Sequence, residues 1–525
     1  MEERTVGALG LGLVMDELHN APGGVIGTGA QVRVRLPEAP REYYSHGWQS
    51  WSPAVWLQAD ALLPVPRPSL LHPLQTDPAR VRHPRPHGSW LGAVRLAGDT
   101  VVLLGALDLD TWVELAGDRA RVDDPTHPDD PTRPPHATGT LVGHAEAPPH
   151  DDTASPGGRA RWFVAAGTEA KVFAAYAALL ARELGVATRR PAPRVWCSWY
   201  SYYTAISERR LAVTLAELHG LPFDVVQVDD GWQRAVGDWT PNEKFPSGME
   251  ALAERIRATG RRAGLWLAPL LATESSRLAR EHPDWLIRSP GGGAGGGTAH
   301  RAGDEASALS GRPISAGFNW GEPLYALDTT HPEAKAWLAE LMRTVRGWGF
   351  DYIKLDFLYA GALPGVRHRA VGRERAYREG LAVIREAMGD DAWFLACGAP
   401  IVPTLGLCEA LRVGPDVARF WESPRDARLL RNLATPGTRN AIRTTVNRLW
   451  LEPLVAPDPD VVYFASSATS LTGGERRALA DLALICDYRA TSDLPHALDN
   501  DERGELVRFL ECKPEIERTR EYRWR

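Results

Sequence analysis

The sequence predicts an α/β fold in which an N-terminal β-sandwich is followed by a (β/α)8 TIM barrel. Three observations carry this expectation. The first 165 residues hold short alternating segments, such as 31–36 and 100–107, divided by Pro, Gly and Asp clusters, as antiparallel strands are. After the linker Arg189-Arg-Pro-Ala-Pro193 the texture changes to short apolar runs that alternate with amphipathic helical stretches. That alternation is the signature of βαβ units and a parallel sheet. No G-x-G-x-x-G follows any of the apolar runs, which lowers a dinucleotide-binding alternative.

The elements follow in order. An alanine-rich helix is expected from 169 to about 184, as a connection between the two parts. Seven strands are expected at 195–200, 224–230, 262–267, 324–328, 352–359, 393–397 and 411–416, and an eighth at 448–454. Helical stretches at 208–219, 249–259, 274–280, 332–348 and 379–388 separate them. Eight such units in about 260 residues fit a barrel better than a doubly wound sheet. Pro/His/Asp-rich stretches at 122–136 and 145–158, and the Gly/Ala/Ser-rich stretch 291–310, read as surface loops. The expected domains are thus 1–165, 166–193, 194–460 and a helical segment with a charged tail at 461–525.

Composition excludes several classes of function. The chain has 525 residues, with 60 Lys plus Arg against 66 Asp plus Glu, a net charge of −6. Such a balance does not suit a protein that neutralises nucleic-acid phosphates or an anionic membrane. The five cysteines, Cys197, Cys397, Cys408, Cys486 and Cys512, have neither disulfide-framework nor metal-ligand spacing. The first residues carry acids where a signal peptide needs bases, and no apolar run approaches the ~20 residues of a membrane span. A cytoplasmic, reduced protein is expected. Only Lys171, Lys244, Lys335, Lys354 and Lys513 are lysines, a skew read as coding bias. Against that background a lysine inside an apolar strand hints at a need for a compact ammonium.

Barrel enzymes carry their chemistry at the C-terminal ends of the strands. Those ends read Trp196-Cys-Ser-Trp-Tyr200, Val228-Asp-Asp230, Gly264-Leu-Trp266, Lys354-Leu-Asp356, Ala396-Cys-Gly398 and Arg412-Val-Gly-Pro-Asp416. Aromatics, carboxylates, a lysine and an arginine on one rim suit a sugar: ring faces stack on aromatics while charges bind hydroxyls. Asp356 and Asp416 remain for acid/base or nucleophilic work, as a retaining glycosidase needs. The bland readings are an N-cap for each Asp, a loop cap or divalent-metal site for Asp229-Asp230, and plain core for Trp266. Lys354 resists such a reading, since it shares a strand face with Asp356 and both would be costly there unless paired. A metal-dependent barrel hydrolase is the next alternative, disfavoured because the chain has no H-x-H or H-E-x-x-H arrangement.

These motifs, with Val228-Asp-Asp-Gly-Trp232, Lys354-Leu-Asp-Phe-Leu-Tyr-Ala-Gly-Ala-Leu-Pro-Gly365 and Gly47-Trp-Gln-Ser-Trp-Ser-Pro53, resemble the α-galactosidases (melibiases) of glycoside hydrolase family 36, compact bacterial and thermophile members above all. The resemblance runs from Gly47 to about residue 490 and implies a retaining exo-α-galactosidase that acts on melibiose- or raffinose-type sugars, with no cofactor and no metal. It implies Asp356 as nucleophile and Asp416 as acid/base. It further implies Asp229 and Asp230 at the 4-OH and 6-OH of galactose, Lys354 at 3-OH and 4-OH, and Cys397 and Arg412 near 2-OH. Trp199, Tyr200 and Trp266 would wall the pocket, with Trp51 reaching over its mouth; for Trp48 burial is the better reading. The rivals are a transglycosylase, an α-N-acetylgalactosaminidase, which Cys397 and Arg412 would oppose, and a non-catalytic carbohydrate-binding protein. Family members generally carry a C-terminal β domain, expected here to be short or missing, and many form dimers or larger assemblies, so a homo-oligomer is among the expected partners.

Overall fold

The computed structural model describes residues 3–6, 10–117, 139–146, 158–290, 311–423, 432–520 and 523–524. The glycine-rich stretch 291–310, the loop at 122–136 and most of 145–158 lie outside the described residues. Two compact units are present. The first comprises Met1–Trp48, Pro53–Val65 and Arg80–Ala187, and the second Gln49–Ser52, Pro66–Ala79 and Thr188–Arg525.

In the first unit, alternation of apolar and polar residues produces antiparallel strands, as expected. Hydrogen bonding joins eleven of them into one sheet, where the sequence reading has a sandwich. The sheet curls on itself, since Ser45 Oγ of one strand donates 2.7 Å to the His87 carbonyl of a strand at the far end of the path. Its core includes Leu13, Val32, Val34, Val102, Leu104, Leu141 and Trp162. The helix Glu169–Glu183 buries Val172, Phe173, Tyr176 and Leu180, and the Tyr176 hydroxyl donates 2.7 Å to the Ala106 carbonyl.

The second unit is built on eight parallel strands: β1 (Val195–Cys197), β2 (Val225–Val228), β3 (Arg262–Leu267), β4 (Tyr352–Leu355), β5 (Trp393–Ala396), β6 (Ala410–Arg412), β7 (Ala456–Asp458) and β8 (Ala490–Thr491). They lie in the order β7-β6-β5-β4-β3-β2-β1-β8. A parallel bridge from Val462, just beyond β7, to Thr491 of β8 joins the two ends of the sheet, with the Val462 amide donating 2.9 Å to the Ala490 carbonyl. Nearly every strand residue is buried, as parallel strands covered on both faces require. Two of the intervening helices start on side-chain caps, at Ser207 and Thr472, the second a full capping box with Glu475.

Two of the expected strands are corrected. Residues 324–328 do not form a barrel strand. Glu322–Ala326 pairs antiparallel with Leu271–Thr273 and Ser315–Asn319 in a three-stranded side sheet. Residues 448–454 hold a single 3-10 turn, Leu449–Leu451, in place of an eighth strand. The true last strands, β7 and β8, are three and two residues long. The parallel sheet therefore continues past the boundary expected at residue 460. After β8 come the helix Asn500–Glu511 and a hairpin of Arg518–Arg520 with Arg523–Trp524.

The turn at 449–451 follows Arg448, whose side chain is fully buried. Its guanidinium donates to the carbonyls of Ser50 at 2.7 Å and of Gln49 and Val413, both at 3.1 Å, tying the 49–52 segment to the loop after β6. Each buried carbonyl left without a donor costs roughly 1–3 kcal/mol. Arg448→Met should therefore lower the urea midpoint markedly, with Arg448→Lys, one compact donor group, recovering at most part of the loss.

Candidate active site

The C-terminal strand ends open on a pocket of about 480 Å³ lined by Trp51, Leu74, Gln75, Trp199, Thr204, Asp229, Asp230, Trp266, Asn319, Trp320, Lys354, Asp356, Phe357, Asp416, Ala434 and Pro436. Eight of the eleven residues selected from sequence line it. Tyr200, Cys397 and Arg412 do not. All three are buried.

β4 supplies the centre of the site. Lys354 lies opposite Trp266 of β3 in the parallel register. Its ammonium donates 3.0 Å to Asp229 Oδ2 and sits 4.0 Å from Asp356 Oδ2. Burial alone would strip that charge, but Asp229 and then Asp356 hold the Lys354 ammonium well above its ordinary range. Asp356 is further held by the Trp266 indole N–H at 2.9 Å and by the Phe357 amide at 2.8 Å. Trp266 is thus more than barrel core: its single donor is spent on this carboxylate.

Asp229 and Asp230, at the end of β2, are both buried. Asp229 accepts from Gln227 Nε2 at 2.6 Å, from Lys354, and from the Asp230 amide at 2.9 Å. Asp230 accepts from Gln233 Nε2 at 2.6 Å and from the Trp320 indole at 2.8 Å. Burial pushes the Asp230 carboxyl up, the two donors opposing it only in part.

Trp320 is among the pocket residues that sequence reasoning missed, and it is the one that bonds a site carboxylate. It sits at the turn of the side-sheet hairpin with φ +52°, an uncommon conformation for a large side chain, and packs between Phe357 (5.2 Å between centroids) and Trp266 (6.2 Å). The signal present in the sequence was Asn319-Trp-Gly321, a turn-forming frame around an aromatic. Trp51 arrives from a segment far earlier in the chain, edge-on to Phe357 at 5.1 Å, its amide held by Gln49 Oε1 at 2.8 Å. A Cβ at Gly398 (φ +52°) would lie 2.9 Å from the Trp51 ring, so only glycine leaves Trp51 its place. Trp48 is buried, as read.

Asp416 has a different setting. Its half-buried side chain accepts 2.9 Å from Arg412 Nη1. The same guanidinium donates to Asp458 at 2.7 Å and to Asp460 at 2.8 Å, and the Tyr200 hydroxyl bonds Asp460. Burial first, and the Asp460 charge second, push the Asp416 carboxyl up to about 7. Cys397 lies at the end of β5, where burial and the Asp356 charge raise its thiol. The pocket therefore holds one carboxylate braced by N–H donors and a cation, and another carboxyl that keeps its proton near neutrality. Among the described residues no group of three or more His, Cys, Asp or Glu is arranged to hold a metal ion, and no helix is long and apolar enough to cross a membrane.

A family model for melibiases matches residues 171–300. α-Galactosidase AgaA of Geobacillus stearothermophilus is 32% identical over 123 residues, which are 22% of this chain and 17% of that protein. α-Galactosidase 2 of Pediococcus pentosaceus is 31% identical over 104 residues, 18% and 14% of the two chains. These alignments span less than a fifth of the curated relatives' length. A solved structure, TtGalA, an α-galactosidase from Thermus thermophilus in complex with p-nitrophenyl α-D-galactopyranoside, is similar throughout: 41% identity over 100% of this chain and 97% of that one, with TM-score 0.84. The solved GH36 α-galactosidase AgaA shares the fold at 13% identity, over 96% of this chain and 67% of that one, with TM-score 0.58.

The raised Asp416 carboxyl has a consequence for stability. In the unfolded chain an aspartate releases its proton near pH 3.9, whereas the folded protein holds it to about 7. Between those values the folded state binds the extra proton, so this contribution is complete at low pH and is lost as pH rises through about 7. Asp416→Asn, neutral throughout, should gain in melting temperature relative to wild type from pH 4 to pH 8. Parallel curves for the two proteins over that range would contradict the assignment.

Proposed function

The chain belongs to the GH36 α-galactosidases, and from that premise we propose that it is an exo-acting, retaining α-galactosidase that releases terminal α-1,6-linked galactose from melibiose- or raffinose-type oligosaccharides. The observation that carries this reading is the contrast between the two carboxyl groups of one pocket: Asp356 beside Lys354 and two N–H donors, Asp416 pushed up to about 7. A double displacement asks for that contrast. TtGalA, the 41%-identical relative, has also been solved in complex with stachyose, which supports oligosaccharides as substrates here.

In the first step a carboxylate oxygen of Asp356 attacks the anomeric carbon as the bond to the leaving oxygen breaks, and Asp416 gives that oxygen its proton. The product is a β-galactosyl ester on Asp356. In the second step Asp416, now a carboxylate, takes a proton from water. The water oxygen attacks the same carbon, and the ester bond breaks to release galactose with retained configuration. Asp229 and Asp230 would accept from the 4-OH and 6-OH, and Lys354 would donate to 3-OH and 4-OH. Trp51, Trp199, Trp266 and Trp320 offer the walls on which a pyranose face can rest.

Arg412 takes a new role in this scheme. It braces Asp416, and with Cys397 it would also contact the 2-OH side of galactose. A cytoplasmic place of action and a homo-oligomeric state are proposed on the sequence reading alone.

Wild-type protein should hydrolyse p-nitrophenyl α-galactoside in preference to the corresponding α-N-acetylgalactosaminide. Asp356→Ala should fall to background, and azide should rescue it with formation of β-galactosyl azide. No turnover by wild type, or rescue of Asp416→Ala with that same β-product, would refute the assignment. Asp416→Asn should lose about 10²–10⁴-fold on melibiose, and less on the nitrophenyl substrate, whose leaving group needs little protonation.

A further inference from the structure

Asp416 is not the only carboxyl on Arg412. The guanidinium spends Nε on Asp458 (2.7 Å), Nη1 on Asp416 (2.9 Å) and Nη2 on Asp460 (2.8 Å). One positive charge faces three carboxyl groups, and Arg412, Asp458 and Asp460 are all buried. A single guanidinium cannot neutralise three carboxylates in such a place, so the cluster is best satisfied when a proton stays within it. Of the three, Asp416 alone lines the cavity, where its proton can pass to a bound molecule.

Asp460 holds the arrangement in more ways than Asp458 does. Its Oδ1 takes the Arg412 arm, while its Oδ2 accepts from the Tyr200 hydroxyl and, at 3.0 Å, from the amide of Val417, the residue after Asp416. It therefore touches both flanks of Asp416: the side chain that bonds its carboxyl and the backbone that follows it. Asp460 does this from a left-handed backbone, φ +79°, fixed by its own amide donating 2.7 Å to Asp458 Oδ1.

We propose that Asp460 is a positioning residue for the proton donor: by holding Arg412 and the Val417 amide and by adding a fixed negative charge, it sets the alkaline limit of activity. This rests on the assignment of Asp416 as acid/base. The charged and titratable groups around Asp416 are Arg412, Asp460, Lys354, Asp356, Tyr200 and Cys397; those around Asp460 are Arg412, Asp458, Asp416, Tyr200, Tyr463 and Cys197. Removing the Asp460 charge frees an Arg412 arm and subtracts a negative neighbour. Both changes favour ionised Asp416, so the donor loses its proton at lower pH.

The test is the pH profile of kcat/KM on melibiose, whose alkaline limb reports the free-enzyme donor. Asp460→Asn keeps the shape and tolerates a left-handed φ. It should move that limb down by about one pH unit, with a smaller loss on p-nitrophenyl α-galactoside than on melibiose at pH 7. A limb that stays in place or moves up, whatever happens to kcat, overturns the proposal, because a merely structural role would lower activity without moving it. Should Asp460→Asn not fold, Asp460→Gly suits the same backbone and reads the same limb. Asp416→Asn is the control: if it keeps wild-type activity on melibiose with an unchanged limb, the acid/base assignment has failed; if it does not, an unmoved Asp460→Asn limb counts against this proposal alone.

Discussion

Two buried cations, Lys354 and Arg412, answer for the carboxyl groups gathered at the mouth of the parallel sheet. Lys354 bridges Asp229 and Asp356, and Arg412 bridges Asp416, Asp458 and Asp460. A buried ion costs several kcal/mol after relaxation unless it is paired and hydrogen-bonded, so these two side chains are what permit so much negative charge in one place. They also divide it. The lysine half is braced by fixed N–H donors from Trp266, Phe357 and Gln227. The arginine half has more carboxyl groups than its cation can neutralise and responds by keeping a proton. The difference between the proposed nucleophile and the proposed proton donor thus follows from how two cations are shared.

Much of this was legible in the sequence. Strand-end motifs reveal chemistry because a strand's apolar run is its signature and the polar residues that follow must lie at its rim. Lys354, Asp356, Asp229, Asp230 and Asp416 were found that way. The direction of a side chain just inside the rim was not legible. Arg412 closes β6 and could have faced the cavity, but Asp458 at the end of β7 and Asp460 just beyond it draw its fork away. Those partners were hidden because β7 and β8 are too short to show any period, while the apolar run at 448–454 mimicked a strand. The same failure concealed Trp320. Residues 324–328 have the composition of a parallel strand, yet they pair antiparallel in a hairpin whose turn carries the tryptophan.

A second source of difficulty is distance along the chain. Gln49–Ser52 and Pro66–Ala79 belong to the second unit although the sequence around them builds the first. Trp51 and Gln75 reach the pocket through these excursions, which are anchored by polar groups: Ser50 exchanges hydrogen bonds with Ala399, Asp77 forms a two-pronged pair with Arg373 at 2.8 and 2.9 Å, and Gln75 accepts from Asn432 at 2.7 Å. Local pattern cannot foresee such links, since each joins residues 296 to 357 apart in sequence. What the sequence did carry was the tryptophan itself, within Gly47-Trp-Gln-Ser-Trp-Ser-Pro53.

The choice of cation at each position follows from geometry. In a chain with five lysines, position 354 takes one of them, where a compact ammonium must sit between two carboxylates that approach from β2 and from its own strand. Position 412 needs donors on three separate nitrogens aimed at three separate carboxyls, which only a planar guanidinium presents. Exchanging them would fail in opposite ways. Arginine at 354 would drive a rigid fork into the pocket and against Trp266, its register partner on β3. Lysine at 412 would leave at least one of Asp416, Asp458 and Asp460 short of its present donor and concentrate the charge on whichever it reached. The arginine bias of the sequence therefore gives way at the one strand position where the pocket requires a point charge.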